Sequence, residues 1–180
     1  ALALVASGCS TEPATSPPPR ERAPTEAGAG QPVTGKAPPA TGGFASVVIL
    51  EPRTPGDFPV PTEPALMDQF NRTFLPSLLL VREGQPVHFR NSEDELHNVH
   101  VVDTRTGSTV LNVAMPILGG SYYHTFERAG TYDVSCNVHP EMAATILVTS
   151  TPYAVVADHD GSFSLPDVPP GSYNLTMRHG

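Results

Sequence analysis

Cysteine is scarce in this 180-residue chain: there are two, Cys9 and Cys136, in very different contexts. A disulfide framework is therefore excluded as the basis of the fold. Positive charge is scarce too, with Lys and Arg numbering 10 against 18 Asp and Glu, for a formal net charge of -8. Glu12, Glu21 and Glu26 are balanced by Arg20, Arg22 and Lys36, so the acidic excess falls on the rest of the chain. That balance argues against a nucleic-acid partner and suits either solubility or a basic protein partner. No apolar run approaches the roughly 20 residues of a membrane-spanning helix. A sustained helical period is also missing, and only Pro64 to Phe70 offers a candidate for a turn of helix. There is no Gly-rich phosphate loop, no Gly-x-Ser-x-Gly elbow and no paired catalytic carboxylate, so an enzyme reading has no residues to rest on.

What is present begins with ALALVASGC, a small and apolar stretch that resembles the end of a secretory leader with a bacterial lipobox. Ala6 stands where such boxes usually carry Leu. An initiator Met and a basic leading region are lacking, so residues 1–9 are expected to be the remnant of a longer signal, with Cys9 lipidated and the protein held at the periplasmic membrane or cell surface. From 10 to 43 the chain is Pro, Thr, Ala, Ser, Gly and Glu with almost no large apolar residue. Such a segment cannot bury enough surface to offset chain entropy, and reads as a disordered tether.

From Phe44 short β-type runs alternate with turn signals: ASVVIL, SLLLV, PVHFR, HNVHVV, TYDVSC and ATILVT, punctuated by Glu83-Gly84, Gly119-Gly120 and Ala129-Gly130. The pattern predicts an all-β sandwich over 44–149. After Thr149 the texture changes, with three short strands separated by Asp160-Gly161, a hairpin signal, and by Pro169-Pro170-Gly171. A short extra β-segment is expected over 150–180, standing alone as a partial module or pairing with the strand around Phe44 to Leu50.

Chemistry concentrates in CNVHPEM, where Cys136, His139 and Met142 recur every third residue at the end of an alternating strand. Taken singly, Cys136 reads as a small buried hydrophobe, His139 as a surface histidine and Met142 as core filler. Together they supply a thiolate, an imidazole and a thioether, and soft sulfur with imidazole selects copper over hard cations. His97, at a strand end far upstream, supplies the second imidazole of a two-His, one-Cys, axial-Met set. His100 is three residues further along an extended strand and points to the other face. His88, His124, His159 and His179 have no partner spacing. Glu93, Asp94 and Glu95 could steer a basic partner or a cuprous ion, but read first as a solvated loop. Asp158-His159-Asp160-Gly161 lacks the spacing and closing Glu of a calcium loop.

The order of these elements resembles the cupredoxins of the plastocyanin/amicyanin kind over about residues 67–149. The resemblance is carried by Phe74-Leu75-Pro76, Gly84, Val87, Phe89, Asn91, His97-Asn98-Val99, Gly130-Thr131-Tyr132 and the short Cys-x-x-His-x-x-Met loop. It implies a Greek-key sandwich and a type 1-like mononuclear copper site that carries single electrons between extracytoplasmic redox partners. It also implies that Asn98 ties the two ligand loops together and that its amide donates toward the thiolate. The C-terminal Gly-x-Phe and Pro-Pro-Gly-x-Tyr pattern, on Gly161, Phe163, Pro169, Pro170, Gly171 and Tyr173, resembles carboxypeptidase regulatory-like, transthyretin-type domains. The combination is similar to a group labelled methylamine-utilisation-like. A monomer is expected. The competing reading keeps the same four ligands for copper storage or delivery without a redox partner.

Overall fold

The computed structural model describes residues 30–42 and 45–179. Residues 1–29, among them Cys9 and most of the expected tether, lie outside the described residues. Among those described there are fourteen strands and no helix. They are β1 (Gln31–Lys36), β2 (Ser46–Pro52), β3 (Ala65–Phe70), β4 (Thr73–Leu75), β5 (Leu78–Arg82), β6 (Pro86–Asn91), β7 (His97–Asp103) and β8 (Ser108–Met115). The rest are β9 (Ser121–Thr125), β10 (Gly130–Ser135), β11 (Ala143–Thr149), β12 (Ala154–Val156), β13 (Ser162–Val168) and β14 (Tyr173–His179).

The larger body is a sandwich of a four-stranded sheet, β4-β3-β6-β9, and a five-stranded sheet, β5-β11-β10-β7-β8. Period-two burial builds its core: Val87 and Phe89 of β6, Val99 and Val101 of β7, and Tyr132 and Val134 of β10 point inward with Met67, Phe74, Phe126 and Ile146. The turn of helix considered for Pro64 to Phe70 is instead β3. It runs parallel to β6 with Met67 and Gln69 facing in, and pairing on both sides overrides the helix-forming character of Ala, Leu, Met and Gln.

The second body joins the two ends of the chain. β2 pairs with β14 on one edge and β12 on the other, and β1 pairs with β13. The pairing of the strand near Leu50 with the C-terminal segment is thus the arrangement observed. The stretch expected as tether does not stay unstructured throughout: Gln31–Lys36 form β1 through main-chain pairing while their side chains remain exposed. Gly161 has φ +85° and backs onto the Ala37 carbonyl so closely that a Cβ there would overlap it. Gly is the residue that tolerates both conditions.

β2 is buried on both faces, which explains why ASVVIL shows no alternation. Val48 and Leu50 pack with Ala37, Phe163, Leu165 and Val168, while Val47 and Ile49 pack against Leu147 of β11. Burying each such aliphatic side chain contributes roughly 1.5–3 kcal/mol, so this seam welds the small body to the outer face of the large one. Because β10 and β7 are antiparallel neighbours, β10 finishes and β7 starts at the same end of the sandwich.

Candidate metal centre

Three of the expected ligands come from that end. His97 opens β7, Cys136 follows the last residue of β10, and His139 lies in the loop before β11. The loop is closed on itself by backbone bonds: the Cys136 N–H donates to the Met142 carbonyl at 3.3 Å and the Met142 N–H to the His139 carbonyl at 3.0 Å. His97 and Cys136 are buried, and the His139 side chain retains 11 % exposure. One donor atom from each of the three lies within 4.8 Å of the others. His97 Nδ1 and His139 Nδ1 are 3.1 Å apart, and Cys136 Sγ is 3.8 Å from His139 Nδ1. Met142, expected as the fourth ligand, is buried beneath the same loop.

The far nitrogens explain the near ones. His97 Nε2 lies 3.0 Å from Glu93 Oε2, and His139 Nε2 lies 3.2 Å from Glu95 Oε1. An ionised carboxylate only accepts, so each Nε2 carries the proton and donates. In the neutral rings both Nδ1 atoms are then bare lone pairs, facing one another beside a sulfur with no proton of their own to share. This arrangement is repulsive by itself and is relieved by a cation. The donor chemistry, two imidazole nitrogens with one thiolate, is that of copper.

The carboxylates are kept ionised by their own neighbours. The Arg72 backbone N–H donates to Glu93 at 3.0 Å and holds its carboxyl below the ordinary glutamate range. The Arg72 guanidinium forks onto both oxygens of Glu95, at 3.1 and 2.5 Å, lowering that carboxyl in the same sense. Glu93, Asp94 and Glu95 had read first as a solvated run. Two of the three instead face the site. No periodic pattern signals this in the sequence, because residues 93–95 form a bend between β6 and β7.

Asn98 ties the ligand segments together: its Oδ1 accepts from the Asn137 N–H, next to Cys136. The expected donation from its amide toward the thiolate is not what the structure has, since Nδ2 donates to Asn112 Oδ1 at 2.7 Å. Two buried amides below the loop were not singled out as site residues from the sequence. Gln69 Nε2 donates to the Asn98 carbonyl at 3.1 Å, and Asn91 Nδ2 donates to the carbonyls of Glu95 and Met115, each at 2.8 Å. Asn91 Oδ1 also accepts from the Glu93 N–H, shaping the turn that carries both glutamates. His100 points away and meets Thr109. His88 stacks on Tyr123, and His124 meets Phe126 edge-on. Asp158-His159-Asp160-Gly161 forms the expected turn, closed by the Gly161 N–H on the Asp158 carbonyl.

Residues 66–149 match the family of copper binding proteins of plastocyanin/azurin type. Over this segment, a little under half of its length, the chain is similar to the cupredoxin family. It is 39% identical over 70 residues to amicyanin of Paracoccus denitrificans and spans 53% of that protein's length. Over 111 residues it is 25% identical to amicyanin of Paracoccus versutus, covering 61% of this chain and 84% of that one. Among solved structures, an oxidised amicyanin variant is 32% identical, with 48% of this chain and 82% of that chain covered and a TM-score of 0.44. Copper is accordingly the ion of this cupredoxin segment, and the convergent His-Cys-His group is where the chain can hold it.

Proposed function

We propose that this cupredoxin carries single electrons between extracytoplasmic partners, with copper held by His97, Cys136, His139 and Met142. The observation that carries the reading is the pinned pair of imidazoles, whose Nε2 atoms face Glu93 and Glu95 so that both Nδ1 atoms are turned toward the Cys136 sulfur. Bound there, copper supplies a one-electron couple. The protein's part is to keep the donors still. Imidazoles held at Nε2 by carboxylates and a loop closed by its own backbone resist rearrangement when the charge at the site changes. Asn98, bonded to the backbone beside Cys136, fixes the separation of the two ligand segments.

His139 is the partly exposed ligand, with exposed Leu96 and Val138 adjoining the ligands in sequence. Around them Glu93, Asp94, Glu95 and Glu141 outnumber Arg72. That balance favours a redox protein with a basic rim. We read the body of β1, β2 and β12–β14 as a transthyretin-type unit completed by two N-terminal strands. A periplasmic setting, with Cys9 as lipid anchor, fits an electron carrier of this kind.

The test is the visible spectrum and voltammetry of copper-loaded protein. An intense thiolate-to-copper band with a reversible one-electron couple is expected. Tight Cu(I) binding with no reversible couple would overturn electron transfer in favour of storage or delivery.

A further inference from the structure

The hairpin between β3 and β4 turns on two residues, Asn71 and Arg72, both at φ +52°. Two positive φ values in a two-residue loop are the geometry for which Asn-Gly is the favoured pair. Asn fills the first place here. The second, where Gly would sit without strain, carries Arg, a residue that adopts this conformation at a steric disadvantage. A long cationic side chain kept in a strained slot calls for a use of that side chain.

Its contacts supply one. The guanidinium grips Glu95 with two bonds, and Glu95 Oε1 is the acceptor that His139 Nε2 faces at 3.2 Å. Without the grip, Glu95 is a flexible side chain with 35% exposure, free to turn to solvent. His97 needs no such help: it is fully buried, and its Glu93 is held by the Arg72 backbone N–H, which any residue but proline would provide. The arrangement is asymmetric, with a main-chain support for the inner histidine and a side-chain support for the outer one.

We propose that Arg72 and Glu95 are positioning residues for His139, a latch that fixes its ring with Nδ1 toward Cys136 and retards loss of the metal past this more exposed ligand. The proposal rests on the copper reading of the same site. Neither residue touches the Nδ1–sulfur cluster; Arg72 acts through Glu95, and Glu95 through the imidazole.

Arg72→Gly tests it with little risk to the fold, because it relieves the turn and keeps the backbone N–H to Glu93. In metal-free protein at mildly alkaline pH, nitrogen-15 NMR of the imidazoles should find His139 and His97 of the parent as Nε2–H tautomers. In Arg72→Gly, His139 should become a mixture while His97 does not change, and the unfolding midpoint should hold or rise. Copper-loaded variant should release Cu(I) to excess chromogenic chelator about 10–100-fold faster than parent, the usual scale for losing an outer partner of a ligand. Glu95→Ala should do the same, and Glu95→Gln, which keeps an oxygen to accept from Nε2, should recover part of the loss. An unchanged His139 tautomer with an unchanged release rate in Arg72→Gly would overturn the latch. So would parallel changes at His97 and His139 with a lowered midpoint, which would mark a merely structural turn. A parent that takes up no copper would sink the proposed function instead, and the metal-free tautomer comparison would still decide for or against the latch.

Discussion

At the ligand end of the large sandwich, four buried residues are polar: Gln69, Asn91, His97 and Asn98. The small core under β2, in contrast, is mostly apolar, with Ala37, Val48, Leu50, Ala157, Phe163, Leu165 and Val168, aromatic edges from Tyr153 and Tyr173, and the buried hydroxyls of Ser46 and Thr151 at its margin. One region spends burial on directional bonds and the other on area. Apolar packing is tolerant of direction and fixes where strands lie. Buried amides are intolerant, since each unmet donor or acceptor costs about 1–3 kcal/mol, and they fix where particular atoms lie. Gln69 illustrates the stake: its Nε2 bonds to Asn98 while its Oε1 is buried without a hydrogen-bond partner in the structure. Damage to the apolar region should therefore unfold, and damage to the polar region should disable.

The largest effect is expected at β2. Val48 is fully buried in the small core and sits on the strand that joins both ends of the chain. Val48→Asp places an unpaired charge there, a loss of roughly 4 kcal/mol or more. Limited proteolysis should then cut readily between residues 150 and 180, while copper-loaded protein keeps its visible band. Simultaneous loss of the band would mean that the two regions are one cooperative unit and that the contrast between them fails.

Next comes Cys136→Ser. No other cysteine lies among the described residues, so the thiolate band should vanish outright. The metal-free fold should shift by only about 1 kcal/mol, the scale of one altered buried polar contact. A variant that kept the intense band would refute the ligand set.

These two sites also mark what the sequence made legible. The grouping of Cys136 with His139 could be read because the loop that carries both is a local object, closed by backbone bonds within seven residues. His97 followed from the need for a second imidazole at a neighbouring strand end. The small core was harder, because its strands meet across the whole chain, Ser46–Pro52 against Tyr173–His179, and no local pattern encodes a partner that distant. Gln31–Lys36 were harder still, since exposed polar side chains gave no sign that their main chain pairs with β13. Glu93 and Glu95 were misread for a related reason: a run of acid looks solvated until the arginine and the histidines that use it arrive from other strands.

A smaller effect is expected from Met142→Leu, which is close to volume-conserving at a buried position and should alter stability by less than about 1.5 kcal/mol. A thioether donates weakly to Cu(II) from the axis, so its loss should raise the reduction potential, with copper retained and the band still present. Voltammetry and a competitive Cu(I) titration on the same variant check this. A large loss of Cu(I) affinity with an unmoved potential would assign Met142 to copper retention, not to redox tuning.

The smallest effect tests the rim of the apolar region. Lys36 of β1 meets Asp160 of the β12–β13 turn at 2.5 Å, and Asp160 also accepts from Ser162. The Lys36 contact, first among these, lowers the Asp160 carboxyl well below its ordinary value of 3.8. A depressed carboxyl stabilises the fold above its unfolded value and stops doing so as pH falls through the folded one. Asp160→Asn should therefore melt slightly below the parent at neutral pH, and the two curves should converge below pH 3.8, toward the still lower folded value. The side chains are 65% and 62% exposed, so salt should shrink the difference as acid does. Thermal melts of both proteins across that range, at low and high salt, give the answer. A gap that persisted in acid would show that the aspartate acts by its turn geometry, accepting from the Ser162 N–H, and that charge contributes nothing to holding β1 in place.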